Sequence, residues 1–131
     1  MNKPYLKKIL ARSAEDIQII SACCSEGLVK IGEIKYLPKN KIFLISLKRL
    51  EKEIKKNKRI NSIIRFEYVE SSRSKNISQI NSNHEMELIS IELFKKDKNF
   101  EIILLFSDNR IITLVVETIE VFLEDQKSVN D

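Results

Sequence analysis

Glycine and proline are the scarcest structural punctuation in this sequence, at two residues each in 131. Two glycines cannot line a phosphate-binding loop, and neither G-x-x-x-x-G-K-[ST] nor G-x-G-x-x-G occurs. Turns must therefore be read from clusters of Asn, Asp, Ser and Lys. Tryptophan is absent, and the single histidine, His84, would leave a catalytic triad resting on one residue in an expected loop. The two cysteines, Cys23 and Cys24, are neighbours, too close for an ordinary disulfide. Adjacent positions in a helical pattern point in different directions, so with His84 they make no zinc site; the expectation is no metal and no cofactor. They read instead as small core residues. No apolar run approaches the roughly 20 residues of a membrane helix. Met1 to Tyr5 also lacks a continuous signal-peptide core, so the expected compartment is the cytoplasm.

What is present is apolar and charged in globular proportion, 43% and 32% of residues. The length suits a single domain over residues 1–131, with 127–131 as a polar tail. The formal charge of +4 is uneven, because residues 117–131 hold five acids against Lys127. Ile, Lys and Asn, which have A/T-rich codons, are all abundant. Abundant lysine is therefore no sufficient sign of an anionic partner, and its placement has to decide.

Alternation and helical spacing divide the chain. Residues 5–11 form a first strand. Ser13 then caps a helix, with Glu15 and Asp16 in its first turn and Ile17, Ile20 and Cys24 on its inner stripe. Gly27 is its expected end. Leu28–Leu37 is a strand that changes phase between Val29/Ile31 and Ile34/Tyr36, which predicts a β-bulge at Gly32. After a turn at Pro38–Lys41, Phe43, Ile45 and Leu47 alternate, while Ile42 and Leu44 make the second face of that strand apolar too. A strand from Ile60 or Ser62 to Val69 carries Ile64, Phe66 and Tyr68 on one face. Residues 71–84, rich in Ser and Asn, predict a mobile loop. Three strands follow in a meander, with Ile89/Ile91/Leu93, Phe100/Ile102/Leu104/Phe106 and Ile112/Leu114/Val116 as their apolar sets. Their turns fall at Lys96–Asn99 and Ser107–Asn109. Glu117–Asp125 predicts a closing helix with Ile119, Phe122 and Leu123 as its stripe.

The expected class is α+β. Seven mostly antiparallel strands form a strongly curved sheet or small barrel, with one helix after the first strand and a capping helix at the C-terminal end. That order of elements is similar to pleckstrin-homology-like barrels; a flat sheet with both helices on one face is the alternative. Three stretches, AEDIQIISA (14–22), GLVKIGEIKYLP (27–38) and ITLVVETIEVFLED (112–125), resemble an uncharacterised family of alphaproteobacterial proteins known only as a domain of unknown function. The resemblance implies a bacterial cytoplasmic protein and carries no activity or site residues.

Among functional groups, the basic segment 48–59 is the strongest surface signal. Lys48, Arg49, Lys52, Lys55, Lys56, Lys58 and Arg59 face only Glu51 and Glu53 there. Leu47, Leu50 and Ile54 have helical spacing, as in a basic amphipathic turn. Lys52, Lys55, Lys56, Lys58 and Arg59 are thus candidates for contacting phosphates of nucleic acid or an anionic membrane. No aromatics are interleaved to stack bases, which weighs against it. Glu67, Glu87, Glu92 and Glu101 lie on or beside strands and could serve acid–base chemistry; opposite parity to apolar neighbours makes Glu67 and Glu101 a solvated face. Glu117 and Glu120 have a sufficient reason at a helix start. With no convergent catalytic group, the preferred expectation is a non-catalytic module binding protein or peptide along a sheet edge or groove. The anion-binding module is second, and a small enzyme using strand carboxylates third.

Overall fold

The hydroxyl of Ser13 does start a helix. In the computed structural model, which describes residues 6–51 and 58–126, it accepts the backbone N–H of Asp16 at 3.2 Å. The resulting helix α1 (Ala14–Cys24) buries Ile17, Ile20 and Cys24. Its end differs from expectation. Ser25 donates its N–H to the Ser21 carbonyl, and Glu26, not Gly27, takes the left-handed backbone at φ 71°. Gly27 is needed for closeness: a Cβ there would lie 2.7 Å from Leu47 Cδ1 and 2.8 Å from the Cys24 carbonyl oxygen.

Among the described residues ten strands form instead of seven: β1 (Lys8–Ala11), β2 (Leu28–Lys30), β3 (Ile34–Leu37), β4 (Ile42–Leu50), β5 (Arg59–Phe66), β6 (Val69–Lys75), β7 (Glu85–Lys96), β8 (Asn99–Phe106), β9 (Arg110–Val116) and β10 (Val121–Asp125). They pair antiparallel in the order β1-β10-β5-β4-β2-β7-β8-β9-β6, with β3 on β4 beside β2. The sheet does not close, since β1 and β6 are its two ends. It folds over so that the inner faces of β1, β10, β5 and β4 share one buried cluster with those of β7, β8, β9 and α1.

Each extra strand has a physical cause. The predicted strand 28–37 is split by a one-turn 3-10 helix, Ile31–Glu33, which makes the phase change assigned to a bulge at Gly32. Gly32 N–H donates to the Ser82 carbonyl at 2.8 Å, and a Cβ on it would meet Ser82 at 3.0 Å. The predicted strand 60–69 breaks at Tyr68, whose φ of 58° turns the chain from β5 into β6 and leaves its ring exposed. Residues 71–75, read as part of a loop, pair with β9 as an edge strand whose outward side chains are polar.

The expected C-terminal helix is the third correction, and with it the likeness to pleckstrin-homology-like barrels loses its last element. Val121, Leu123 and Asp125 point inward in a strand between β1 and β5, whereas Phe122 and Glu124 point outward. A nine-residue helix has little stability of its own, while two neighbouring strands offer a full set of backbone partners. In β7 a register shift between Leu88 and Ser90 puts Leu88 and Ile91 in the core and Ile89 outside, contrary to the simple alternation expected. The sets in β8 and β9 hold: Ile102, Leu104, Phe106, Ile112, Leu114 and Val116 are all buried. With glycine scarce, Lys41, Asn76, Asp97, Asp108 and Asn109 supply the left-handed turn residues.

Candidate functional site

A strand alternates its side chains, and that divides the basic cluster. Lys48 is exposed on the outer face of β4; its neighbour Arg49 is fully buried. Arg49 grips Asp125 with two bonds, Nε to Oδ1 at 2.7 Å and Nη2 to Oδ2 at 2.6 Å. Ser62 Oγ donates to Oδ1 at 2.6 Å and the Lys7 backbone N–H to Oδ2 at 2.8 Å. Burial alone would push the Asp125 carboxyl up, but the bonds from Arg49, Ser62 and Lys7 and the charge of Arg49 outweigh it and hold it below the ordinary value. Glu51 also turns inward, and its Oε2 has no hydrogen-bond partner among the described residues.

Of the five phosphate candidates, Lys52, Lys55 and Lys56 lie outside the described residues. Lys58 is exposed. Arg59 Nη1 donates to the carbonyls of Glu26 at 2.8 Å and Lys48 at 3.2 Å, tying the β4–β5 hairpin to the exit of α1. Leu47 and Leu50 belong to β4, so their helical spacing reflects no amphipathic turn there. Among the described members of the cluster, Lys48 points out, Arg49 points in and Arg59 is bonded to two carbonyls.

The carboxylates are similarly distributed. Glu67 pairs with Arg65 at 2.8 Å, and Glu101 with Arg73 and Lys96 at 3.4 Å each. Glu87 and Glu92 are exposed. Glu117 and Glu120, expected at a helix start, instead take Lys41 at 2.6 Å and Arg12 at 3.3 Å. His84 is exposed, and its carbonyl accepts the Ile31 N–H. Cys24 is buried and Cys23 half-buried. No group of three or more metal-ligating side chains forms among the described residues, and no described helix is long and apolar enough to cross a membrane.

The feature that does converge is the outer face of the half-sheet β3-β4-β5-β10-β1. Register places Lys35, Leu44, Arg65, Phe122 and Leu10 directly opposite one another in a single row. The row spans roughly 19 Å at the usual strand spacing. Arg65 lies over the Phe122 ring, 4.4 Å from its centroid. Ile42 and Leu37 pair beside the row, as do Ser46 and Ile63. Leu10 and Leu37 are 40% and 41% exposed, while α1 packs on the opposite, inner side. The second apolar face legible in β4 is this surface.

A groove runs along it. β2 pairs with β4 only at Leu28–Lys48, and β3 rejoins β4 at Ile34–Ile45. The intervening 3-10 turn makes no ladder pairing with Ser46 and Leu47 and donates its Ile31 and Gly32 N–H groups to the His84 and Ser82 carbonyls instead. Two cavities of about 510 and 380 Å³ open there and share Glu33, Ser46 and Ile63. Lys30 and Lys48 line the larger and Lys35 the smaller. Aliphatic side chains (Leu28, Leu44, Ile63) and charged ones (Lys30, Glu33, Lys35, Lys48) alternate around these cavities. The sequence assigns no role to Leu10 or Lys35 and predicts Phe122 in the buried stripe of a helix; only the register brings the three together on this outer face.

The fold is α+β: an open antiparallel sheet with one helix packed on its inner face. The chain belongs to a family of proteins of unknown function (DUF2948), whose profile matches residues 7–130. No curated protein and no solved structure matches it.

Proposed function

We propose that the chain is a non-catalytic binding module that seats a peptide segment of a protein partner in the groove along the outer face of β4. The observation behind this reading is the row through Leu44, Phe122 and Leu10, apolar side chains directed to solvent where an ordinary sheet face is polar. The groove beside it adds concavity and polar walls. The reading treats residues 1–131 as a single domain, supported by the one buried cluster that α1 and both halves of the sheet share, and takes the cytoplasm as its compartment. Phosphate recognition by segment 48–59 has less behind it, because Arg49 is buried and Arg59 is bonded to two carbonyls.

The test is a native pull-down with mass spectrometry, using the intact chain beside Ile63→Asp and Ser46→Arg. Both substitutions alter the groove without entering the core. A partner retained by the original chain and lost from both variants, with melting unchanged, is the expected result. Recovery of the same partners by all three proteins would exclude the groove.

A further inference from the structure

The charges around the groove restrict what it can hold. We infer that its partner is an extended segment bearing an aliphatic residue between two carboxylates, in the pattern acid-x-aliphatic-x-acid. This rests on the groove being the binding site. Most charges on that face are already matched: Lys8 with Glu124, Arg12 with Glu120 and Arg65 with Glu67. Lys30 forms no ion pair among the described residues, but it stands directly opposite Glu85 in the β2–β7 ladder and both line the larger cavity, so their charges offset each other there. Lys35 and Lys48 are left, both exposed and neither within 4 Å of a carboxylate among the described residues.

Their spacing sets the pattern. Lys35 is opposite Leu44, and Lys48 lies four residues further along β4. Four residues of strand cover roughly 13 Å, the separation of positions i and i+4 in an extended peptide, whose side chains at i, i+2 and i+4 point the same way. Ser46 and Ile63 lie between the two lysines, with Leu44 beside them, and would receive the central aliphatic side chain. Glu33, the acid shared by both cavities, opposes an acidic partner. Two cations against one anion still favour carboxylates, and Glu33 supplies a second test.

The experiment is an NMR titration of the intact 15N-labelled chain with three end-blocked peptides: Asp-Ser-Leu-Ser-Asp and its counterparts with Asn or Lys in place of Asp. The Asp peptide should shift the amides of Leu44, Ser46 and Ile63 and bind about fivefold more tightly than the Asn peptide at low salt, as expected for two rim ion pairs. Glu33→Gln should strengthen that binding. Lys35→Glu combined with Lys48→Glu should transfer the preference to the Lys peptide. If all three peptides move these amides alike, the acidic pattern is wrong and the groove reading stands. If none does, both are wrong. Stronger perturbation of the same amides by a duplex oligonucleotide would overturn the inference in favour of phosphate.

Discussion

Two ion pairs in this protein have the same 2.6 Å separation and opposite surroundings: Arg49–Asp125 inside the fold and Lys41–Glu117 at its surface. Distance alone would rank them equal. The inner pair is sealed from water, bidentate and supported by Ser62 and Lys7, so each member depends on the other for the solvation it has lost. The outer pair joins side chains 46% and 41% exposed, where water and salt can replace the partner. What separates them is the alternative available to each charge when its partner is removed.

The largest effect should come from breaking the inner pair from one side. Arg49→Met leaves Asp125 buried without its cation and is expected to cost about 3–5 kcal/mol in denaturant melts. Adding Asp125→Leu should recover much of that, though not all, because Ser62 and the Lys7 N–H would then lose their acceptor. A double variant no more stable than the single one would show that Arg49 acts by packing alone. The pair also sets an acid limit. The folded-state Asp125 carboxyl is held below its ordinary value, so its stabilisation is complete above the unfolded value near 3.9 and is lost as pH falls through the lower folded one. Melts between about pH 5 and pH 2 should therefore fall less steeply in the double variant.

The strand that carries Asp125 extends the contrast between inside and outside, where a helix would bury Phe122 and Leu123 together. Leu123 is 1% exposed and faces the core, whereas Phe122 faces outward under Arg65. Leu123→Ala should cost about 2–5 kcal/mol, and Phe122→Ala clearly less despite removing a larger side chain. Urea midpoints in the opposite order would restore the helix with its Ile119–Phe122–Leu123 stripe.

That segment shows where the sequence was legible and where it stopped. The cap at Ser13, the α1 stripe and the alternation in β8 and β9 are local patterns, and each is realised in the fold. VETIEVFLED fits either period, and only the vacant backbone edges of β1 and β5 decide between them. In the same way, charge count drew attention to segment 48–59 as a unit. Strand parity then sent Lys48 outward and Arg49 toward Asp125, a partner 76 residues away. The groove was half legible. The apolar second face of β4 was visible, but its continuation over Phe122 and Leu10 depends on pairings that no local pattern encodes.

The smallest effect should come from the outer pair, where absence of effect is itself informative. Lys41 is raised above its ordinary value chiefly by its hydrogen bond to Glu117, and Glu117 is lowered chiefly by the same bond. Both shifts describe an interaction that exposure lets solvent replace. The backbone at this corner is held separately, by Val69 N–H on the Lys41 carbonyl at 2.8 Å and Glu117 N–H on the Tyr68 carbonyl at 3.0 Å. Lys41→Gln keeps those bonds and should leave the thermal midpoint unchanged within error, at low and high salt alike. A clear drop at low salt that disappears at high salt would mean that Lys41, placed between Glu117 and Glu70, holds two carboxylates together at the corner where β5 turns into β6. Equal distances would then signal comparable importance here, and the separation of the two pairs by solvent access would fail.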